Sequence, residues 1–256
     1  MTELVELTVT GPTAVLTLND PDRRNVLSTR MVRAIGAAVD EAEADGQVRC
    51  LVVTGAGRAF CAGAELSTLE QSAAGDFDSV REVYDGFLRV LHSPLATIAA
   101  VNGAAVGAGF NLALACDVRI AASTAAFDTR FAALQLHPGG GHTWLLSRAV
   151  GHQQAMLACL FGQRWDAAQA REAGLVSSVT TPEDLVPAAV ALGQALEGQD
   201  AAFTRRFTAT LRAVAGPVDH AWALDLETEA QQWSVTQPAF VANIRALQAQ
   251  IAARRT

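Results

Sequence analysis

Two glycine-rich stretches hold the residues best suited to bring a ligand against main-chain atoms: Gly55-Ala-Gly-Arg-Ala-Phe-Cys-Ala-Gly-Ala-Glu65 and Val101-Asn-Gly-Ala-Ala-Val-Gly-Ala-Gly-Phe-Asn-Leu-Ala-Leu-Ala-Cys-Asp117. Small side chains permit close approach. The second stretch runs from an apolar segment into a helical one, so its unpaired N–H groups face whatever lies beyond the helix start. Together the two stretches form a candidate two-sided site for an anion or an oxyanion. Neither is a dinucleotide fingerprint: after Gly107-Ala-Gly109 the required small residue is Leu112, and after Gly55-Ala-Gly57 it is Phe60. A phosphate-binding GxxxxGK[ST] loop is excluded because all 19 basic residues are arginine.

Regular elements must position these stretches. Leu4 to Val9 and Ala14 to Leu18, rich in Val, Leu and Thr, flank Gly11-Pro12 and predict a hairpin. Ser28 is placed to cap a helix whose apolar residues Met31, Val32, Ile35, Val39 and Ala42 recur at helical spacing. The uninterrupted apolar runs Cys50 to Thr54, Ala96 to Val101 and Val118 to Ala121 suit strands buried on both faces. Helical patterns at 77–91, 109–115 and 144–160 alternate with them, which predicts βαβ units in an α/β layer arrangement. From about Pro182 onward only helices are read, over 183–196, 201–214, 219–233 and 238–253. Some seventy residues of this kind bury little on their own, so association between subunits is expected.

The four cysteines, Cys50, Cys61, Cys116 and Cys159, have no CxxC spacing and no paired histidines, so they read as reduced, buried thiols and not as zinc ligands. A net charge of −7, with the arginines spread along the chain, argues against nucleic acid and anionic membranes as partners. No apolar run is long enough to span a bilayer, and the first residues lack a basic segment before an apolar one, so a cytoplasmic, unprocessed protein is expected.

Five motifs stand in order: Arg23-Arg24-Asn25-Val26-Leu27, Phe60-Cys61-Ala62-Gly63-Ala64-Glu65, the block from Ala100 to Ala121, Pro138-Gly139-Gly140-Gly141-His142-Thr143, and Ala173-Gly174-Leu175-Val176. Their order and spacing resemble the crotonase (enoyl-CoA hydratase/isomerase) superfamily over nearly the whole chain. The resemblance implies an α/β fold, a crotonase-like ββα spiral over residues 1–181 with a C-terminal helical oligomerisation region over 182–256. It implies a homotrimer or a dimer of trimers, and an acyl-CoA thioester as ligand, with coenzyme A part of the substrate and no separate cofactor or metal. The thioester oxygen would accept hydrogen bonds from the backbone N–H groups of Ala64 and Ala108, each such donor being worth roughly 10²–10³ in rate. Arg24, with Arg23 beside it, would lie near the CoA phosphates, the backbone around Ala62 near the adenine, and Phe240 would touch the adenine from the C-terminal region.

The departures from that pattern bear on chemistry. Where hydratases of the superfamily place their two catalytic glutamates, this chain has Asn111 and Phe131, and neither an amide nor a phenyl ring titrates. Phe131 also favours a hydrophobic acyl chain over a bound water. The nearest titratable groups are Asp128 and His142, with His137 before Pro138; as proton carriers they would replace the glutamates, and as turn, cap or ion-pair residues they would not. Asp117 and Glu65 are read as structural. Asn243 occupies the position of a lysine that often meets the CoA 3′-phosphate, with Arg245 as a substitute. Three functions remain: an enolate-stabilising enzyme with unusual acid/base groups, a non-catalytic acyl-CoA-binding protein, and an ordinary enoyl-CoA hydratase.

Overall fold

The computed structural model describes residues 3–65, 67, 68, 78–215 and 238. The chain divides into two compact units, Met1–Glu197 and Gly198–Thr256. In the first, an antiparallel hairpin, β1 (Val5–Thr10) and β2 (Thr13–Leu18), is continued by parallel strands β3 (Cys50–Gly55), β5 (Ala96–Val101), β7 (Val118–Ala122) and β10 (Ser178–Thr180). A second, smaller sheet holds β4 (Ala59–Cys61), β6 (Ala104–Val106), β8 (Ala126–Asp128) and β9 (Trp165–Asp166) in that order. Each of β3, β5 and β7 lies in the large sheet and is followed within a few residues by β4, β6 or β8 in the small one. A helix comes next: α2 (Asp78–Leu91), α3 (Ala108–Ala115) or α4 (His142–Cys159). This is a ββα turn repeated three times, the expected spiral.

The apolar runs form buried strands because the large sheet is covered twice. Leu51 and Val53 of β3 face one core with Met31 and Ile35 of α1 (Thr29–Ala44), whereas Cys50 and Val52 face the other core with Leu185 and Ala189 of α6 (Leu185–Gln194). Ser28 caps α1 as read, its side chain accepting from the Met31 N–H at 3.3 Å. Helix α5 (Ala167–Glu172) opens with a capping box between Asp166 and Gln169. Helix α6 corrects the expected boundary at residue 182: its Leu185 and Ala189 close the second face of the sheet, so it belongs to the first unit, which runs to Glu197. In the second unit α7 (Ala201–Val214) is capped by Asp200. The helices read over 219–233 and 238–253 lie outside the described residues, Pro238 excepted.

Backbone meets backbone where the two glycine-rich stretches cross. A Cβ at Gly109 would sit 2.1 Å from the Cys61 carbonyl oxygen, and one at Gly103 equally close to that of Arg58. Gly109→Ala should therefore destabilise the protein by about 1–3 kcal/mol, since main chain and not a flexible side chain would have to yield. Gly36→Ala, in open space within α1, should stabilise it by about 0.5–1 kcal/mol. Denaturant titration of the two variants checks the pair, and equal effects at both positions would contradict this packing.

Candidate active site

Helix α3 is the centre of the site. Every residue from Gly109 to Ala115 is buried, so the N–H groups of its first turn must find partners in protein or in whatever fills the space beyond. Gly107, at a φ of 52°, caps it; the Gly107 N–H donates to the Asp128 carbonyl at 3.0 Å, and the Gly107 carbonyl accepts from the Phe110 and Asn111 N–H groups at 2.9 and 3.1 Å. The Ala108 N–H, first in the helix, is left at the positive end of the helix dipole. Across from it, the Gly63 carbonyl accepts from the Leu27 N–H at 2.8 Å. Among the described residues no peptide is cis, so the N–H on the other side of that peptide, that of Ala64, is directed away from Leu27. A Cβ at Gly63 would lie 2.7 Å from the Val106 oxygen and 3.6 Å from the Ala108 nitrogen, which is how close the two amide-bearing segments come.

Ala64 and Ala108 both line a cavity of about 370 Å³ whose walls also include Ala62, Tyr84, Asn111, Arg130, Phe131, His137 and Gly139. Val80, Val83, Leu134 and Leu136 make much of the remainder apolar. No carboxylate is among the described lining residues. Cys61 sits beneath, fully buried, and desolvation pushes its thiol up to about 12, so it is not a nucleophile at neutral pH.

The hydrogen-bond network fixes Asn111. Its Nδ2 donates to the Gly139 carbonyl at 3.0 Å; a carbonyl only accepts, so the atom facing it must be nitrogen. The opposite atom, Oδ1, then accepts from Nδ1–H of His142. That fixes the imidazole as the Nδ1–H tautomer and leaves its Nε2 a bare acceptor, buried without a hydrogen-bond partner among the described residues. The ring lies between Phe110 and Phe131, at centroid distances of 5.4 and 5.0 Å. Burial pushes its pKa down to about 4.

The expected acid/base groups are placed as follows. Asp128 does not line the cavity: its carboxylate accepts from Arg130 Nη2 at 2.9 Å, from Arg164 Nε at 3.2 Å and from the Arg130 N–H at 2.9 Å. It holds the turn that carries Arg130 at a φ of 61°. His142 stands behind Asn111 and Phe131, outside the lining, with its one N–H committed. Of the titratable trio only His137 reaches the cavity, and its Nδ1 lies 2.8 Å from the Pro138 carbonyl. Asp117 ties β5 to β7, its carboxylate accepting from the N–H and hydroxyl of Thr97 at 2.8 and 2.9 Å.

The segment before α1 lies alongside Ala62. The Ala62 N–H donates to the Arg24 carbonyl at 3.0 Å, which places both arginines next to the Ala62 backbone. Arg23 is held by Glu65 and, at 3.7 Å, by Asp20, whereas Arg24 is exposed with no ion pair to a described residue. Phe240, Asn243 and Arg245 lie outside the described residues.

The family model described as enoyl-CoA hydratase/isomerase matches residues 10–238. This chain belongs to that family. It is 48% identical over 251 residues to a probable enoyl-CoA hydratase of Mycobacterium tuberculosis, covering 95% of this chain and 97% of that protein. Among solved structures, an enoyl-CoA hydratase subunit of Geobacillus kaustophilus superposes with a TM-score of 0.89 at 28% identity, over 97% of both chains. A Thermobifida fusca protein in complex with acetoacetyl-CoA superposes at 0.81 and 32%, over 91% of this chain and 95% of that one.

The roles of two site residues of this family member escaped the sequence reading, which had Asn25 only as part of a motif. Asn25, fully buried at a φ of 56°, donates to the carbonyls of Ala56 and Ala59 at 3.0 and 2.9 Å and anchors the Arg24 turn; only its non-glycine left-handed backbone would have marked it. Tyr84 is the chain's one tyrosine, and its spacing with Val80, Val83 and Phe87 shows a helix face but not what that face meets.

Folding lowers the His142 pKa from 6.5 to about 4, so its contribution to stability is whole above pH 6.5 and falls as the pH drops toward 4, because the unfolded chain takes up the proton first. Between pH 7 and pH 5 the loss from this group should be about 2 kcal/mol. His142→Gln, which keeps a partner for Asn111 but does not titrate, should flatten that part of the profile. Identical pH profiles for the two proteins would mean that the ring is solvated.

Proposed function

We propose that this chain binds an acyl-CoA across the N–H groups of Ala64 and Ala108 and stabilises the enolate form of its thioester without the carboxylate pair that hydration requires. One observation carries the reading: two segments of backbone, packed as closely as glycine allows, each present an amide to one end of a largely apolar cavity whose described lining holds hydrogen-bond donors and no carboxylate. Preorganised donors in a water-poor site favour negative charge on the thioester oxygen. The relatives' association with CoA thioesters agrees with this, as does the exposed Arg24 beside Ala62 for the CoA phosphates and adenine.

Asn111 does not act as a base here. Its carbonyl is occupied by His142, and what it offers the cavity is its second N–H. Phe131 fills wall space with an aromatic ring. The same donor-only lining supports a second reading, a protein that holds acyl-CoA without turning it over. The oligomer belongs to this proposal as well: exposed Phe207 and Leu211, one turn apart on α7, offer an apolar face for a homotrimer or a dimer of trimers. Among the described residues no helix is long and apolar enough to cross a membrane.

The test is hydration followed by loss of the conjugated-thioester absorbance, with crotonyl-CoA and a longer enoyl-CoA. Turnover should fall many orders of magnitude below the usual range of roughly 1–10³ per second, while calorimetry detects binding of both thioesters. Ala108→Pro, which deletes one donor, should weaken binding by about tenfold or more with the fold kept, proline being tolerated at the first position of a helix. Hydration at ordinary rates would overturn the demotion of the hydratase reaction. Unchanged affinity in a folded Ala108→Pro protein would overturn the site.

A further inference from the structure

The cavity's side-chain donors are not equally available. The Thr129 hydroxyl donates to the Ala158 carbonyl at 3.0 Å, Arg130 is bound to Asp128, and His137 is turned to the Pro138 carbonyl. Asn111 is held on one side by His142 and on the other by Gly139, which leaves it one N–H. Tyr84 differs. It is half-buried on α2, it lines the cavity, and its oxygen lies against the Gly139 backbone, on the side of the Gly140 N–H. Among the described residues its O–H donates to no protein group, so the proton is left for a ligand. Asn111 and Tyr84 meet the same stretch of backbone: the Gly139 carbonyl accepts from Asn111, and the Tyr84 oxygen lies beside Gly139. The phenol is thus positioned from the same backbone unit as the amide at the helix start. A Cβ at Gly139 would lie 2.2 Å from the Tyr84 oxygen, so only glycine leaves the hydroxyl in place.

We infer that Tyr84 is a specificity-determining residue whose O–H donates to an oxygen on the acyl chain itself, so that the cavity selects acyl-CoA thioesters carrying an oxo or hydroxyl group over unsubstituted ones. The inference rests on the acyl-CoA reading above and extends it from the thioester end to the acyl end. Burial raises the phenol's pKa, with the Gly140 N–H opposing the shift in part, so the group stays protonated and a donor at neutral pH. Val80, Val83 and Leu134 of the same lining are apolar and offer an acyl oxygen no partner. An unsubstituted chain would leave the half-buried hydroxyl without an acceptor, whereas an oxygenated chain satisfies it, and a net difference of about tenfold is the ordinary scale for one such bond.

Binding of acetoacetyl-CoA and butyryl-CoA to the wild-type protein and to Tyr84→Phe tests this by calorimetry. Tyr84→Phe should lose about tenfold in affinity for acetoacetyl-CoA and stay within twofold for butyryl-CoA. Because the chain has a single tyrosine, protein labelled with ¹³Cζ-tyrosine gives one phenol signal, and in the wild type acetoacetyl-CoA should shift it while butyryl-CoA leaves it nearly unmoved. Equal losses for both ligands, no loss for either, or a phenol signal indifferent to acetoacetyl-CoA would overturn the assignment with acyl-CoA binding intact. Failure of butyryl-CoA and acetoacetyl-CoA alike to bind the wild type would instead remove the acyl-CoA reading, and this inference with it. The NMR arm needs no variant, so a Tyr84→Phe protein that did not fold would still leave the question decided.

Discussion

The site depends on one steric condition: main chain must touch main chain where β4 ends and α3 begins. At Gly109 and Gly63 a single methyl group would collide with a carbonyl, of Cys61 in the first case and of Val106 in the second. That approach sets the separation of the Ala64 and Ala108 amides, and the rest of the first unit maintains it. The small sheet aligns β4, β6 and β8 so that the Asp128 carbonyl occupies the Gly107 N–H, leaving the next amide uncommitted. Asn25 ties the Arg24 turn to the carbonyls around β4, and that turn in turn binds Ala62 and Gly63. Because the amides belong to backbone, they survive side-chain change, and the side chains around them determine what the charge they favour is used for.

Electrostatically the cavity is one-sided. Amides, a phenol, an amide side chain, an arginine and a histidine surround it, and the nearby carboxylate, Asp128, is drawn away by two arginines. His142 illustrates the cost of the alternative. A cation enclosed by Phe110, Phe131 and Asn111 would lose its hydration without a compensating anion, so the ring stays neutral and serves as a fixed donor. It fixes Asn111: with Oδ1 engaged by the imidazole, Nδ2 is the atom turned to the Gly139 carbonyl.

Much of the fold was legible because sheets buried on both faces leave an unambiguous trace. The runs at Cys50, Ala96 and Val118 became strands within a residue of the reading, and Ser28 capped α1 as its type required. Helix α6 was misassigned because helical texture gives the period of a segment and not the surface it covers; its Leu185 and Ala189 complete a sheet face more than a hundred residues from β3 in sequence. The side-chain chemistry was harder to see for the same reason. Asp128 and His142 stand near the vacated positions along the chain, yet strand alternation turns one toward Arg130 and Arg164, and a helix start buries the other behind Phe131. Tyr84 was invisible because its role depends on Gly139 and Gly140, brought to it only by the fold.

A cavity with donors and no carboxylate among its described lining residues separates two tasks that acid/base enzymes combine. Stabilising an enolate requires charge acceptance by the protein; forming it requires that a proton leave the α-carbon. Ala64, Ala108 and Asn111 are suited to the first task, and no described lining residue is a carboxylate suited to the second. Differential binding therefore favours ligands that need least help with the proton. A 3-oxo thioester enolises far more readily than a saturated one, because its negative charge is shared between two oxygens, and a site with donors at both ends of the acyl group matches that distribution. The amide pair would take the thioester oxygen and Tyr84 the second, the Gly139–Gly140 peptide setting the spacing between Tyr84 and Asn111. On the proposed reading, Asn111 and Phe131 give the cavity a polarity that suits oxygenated thioesters and not the addition of water.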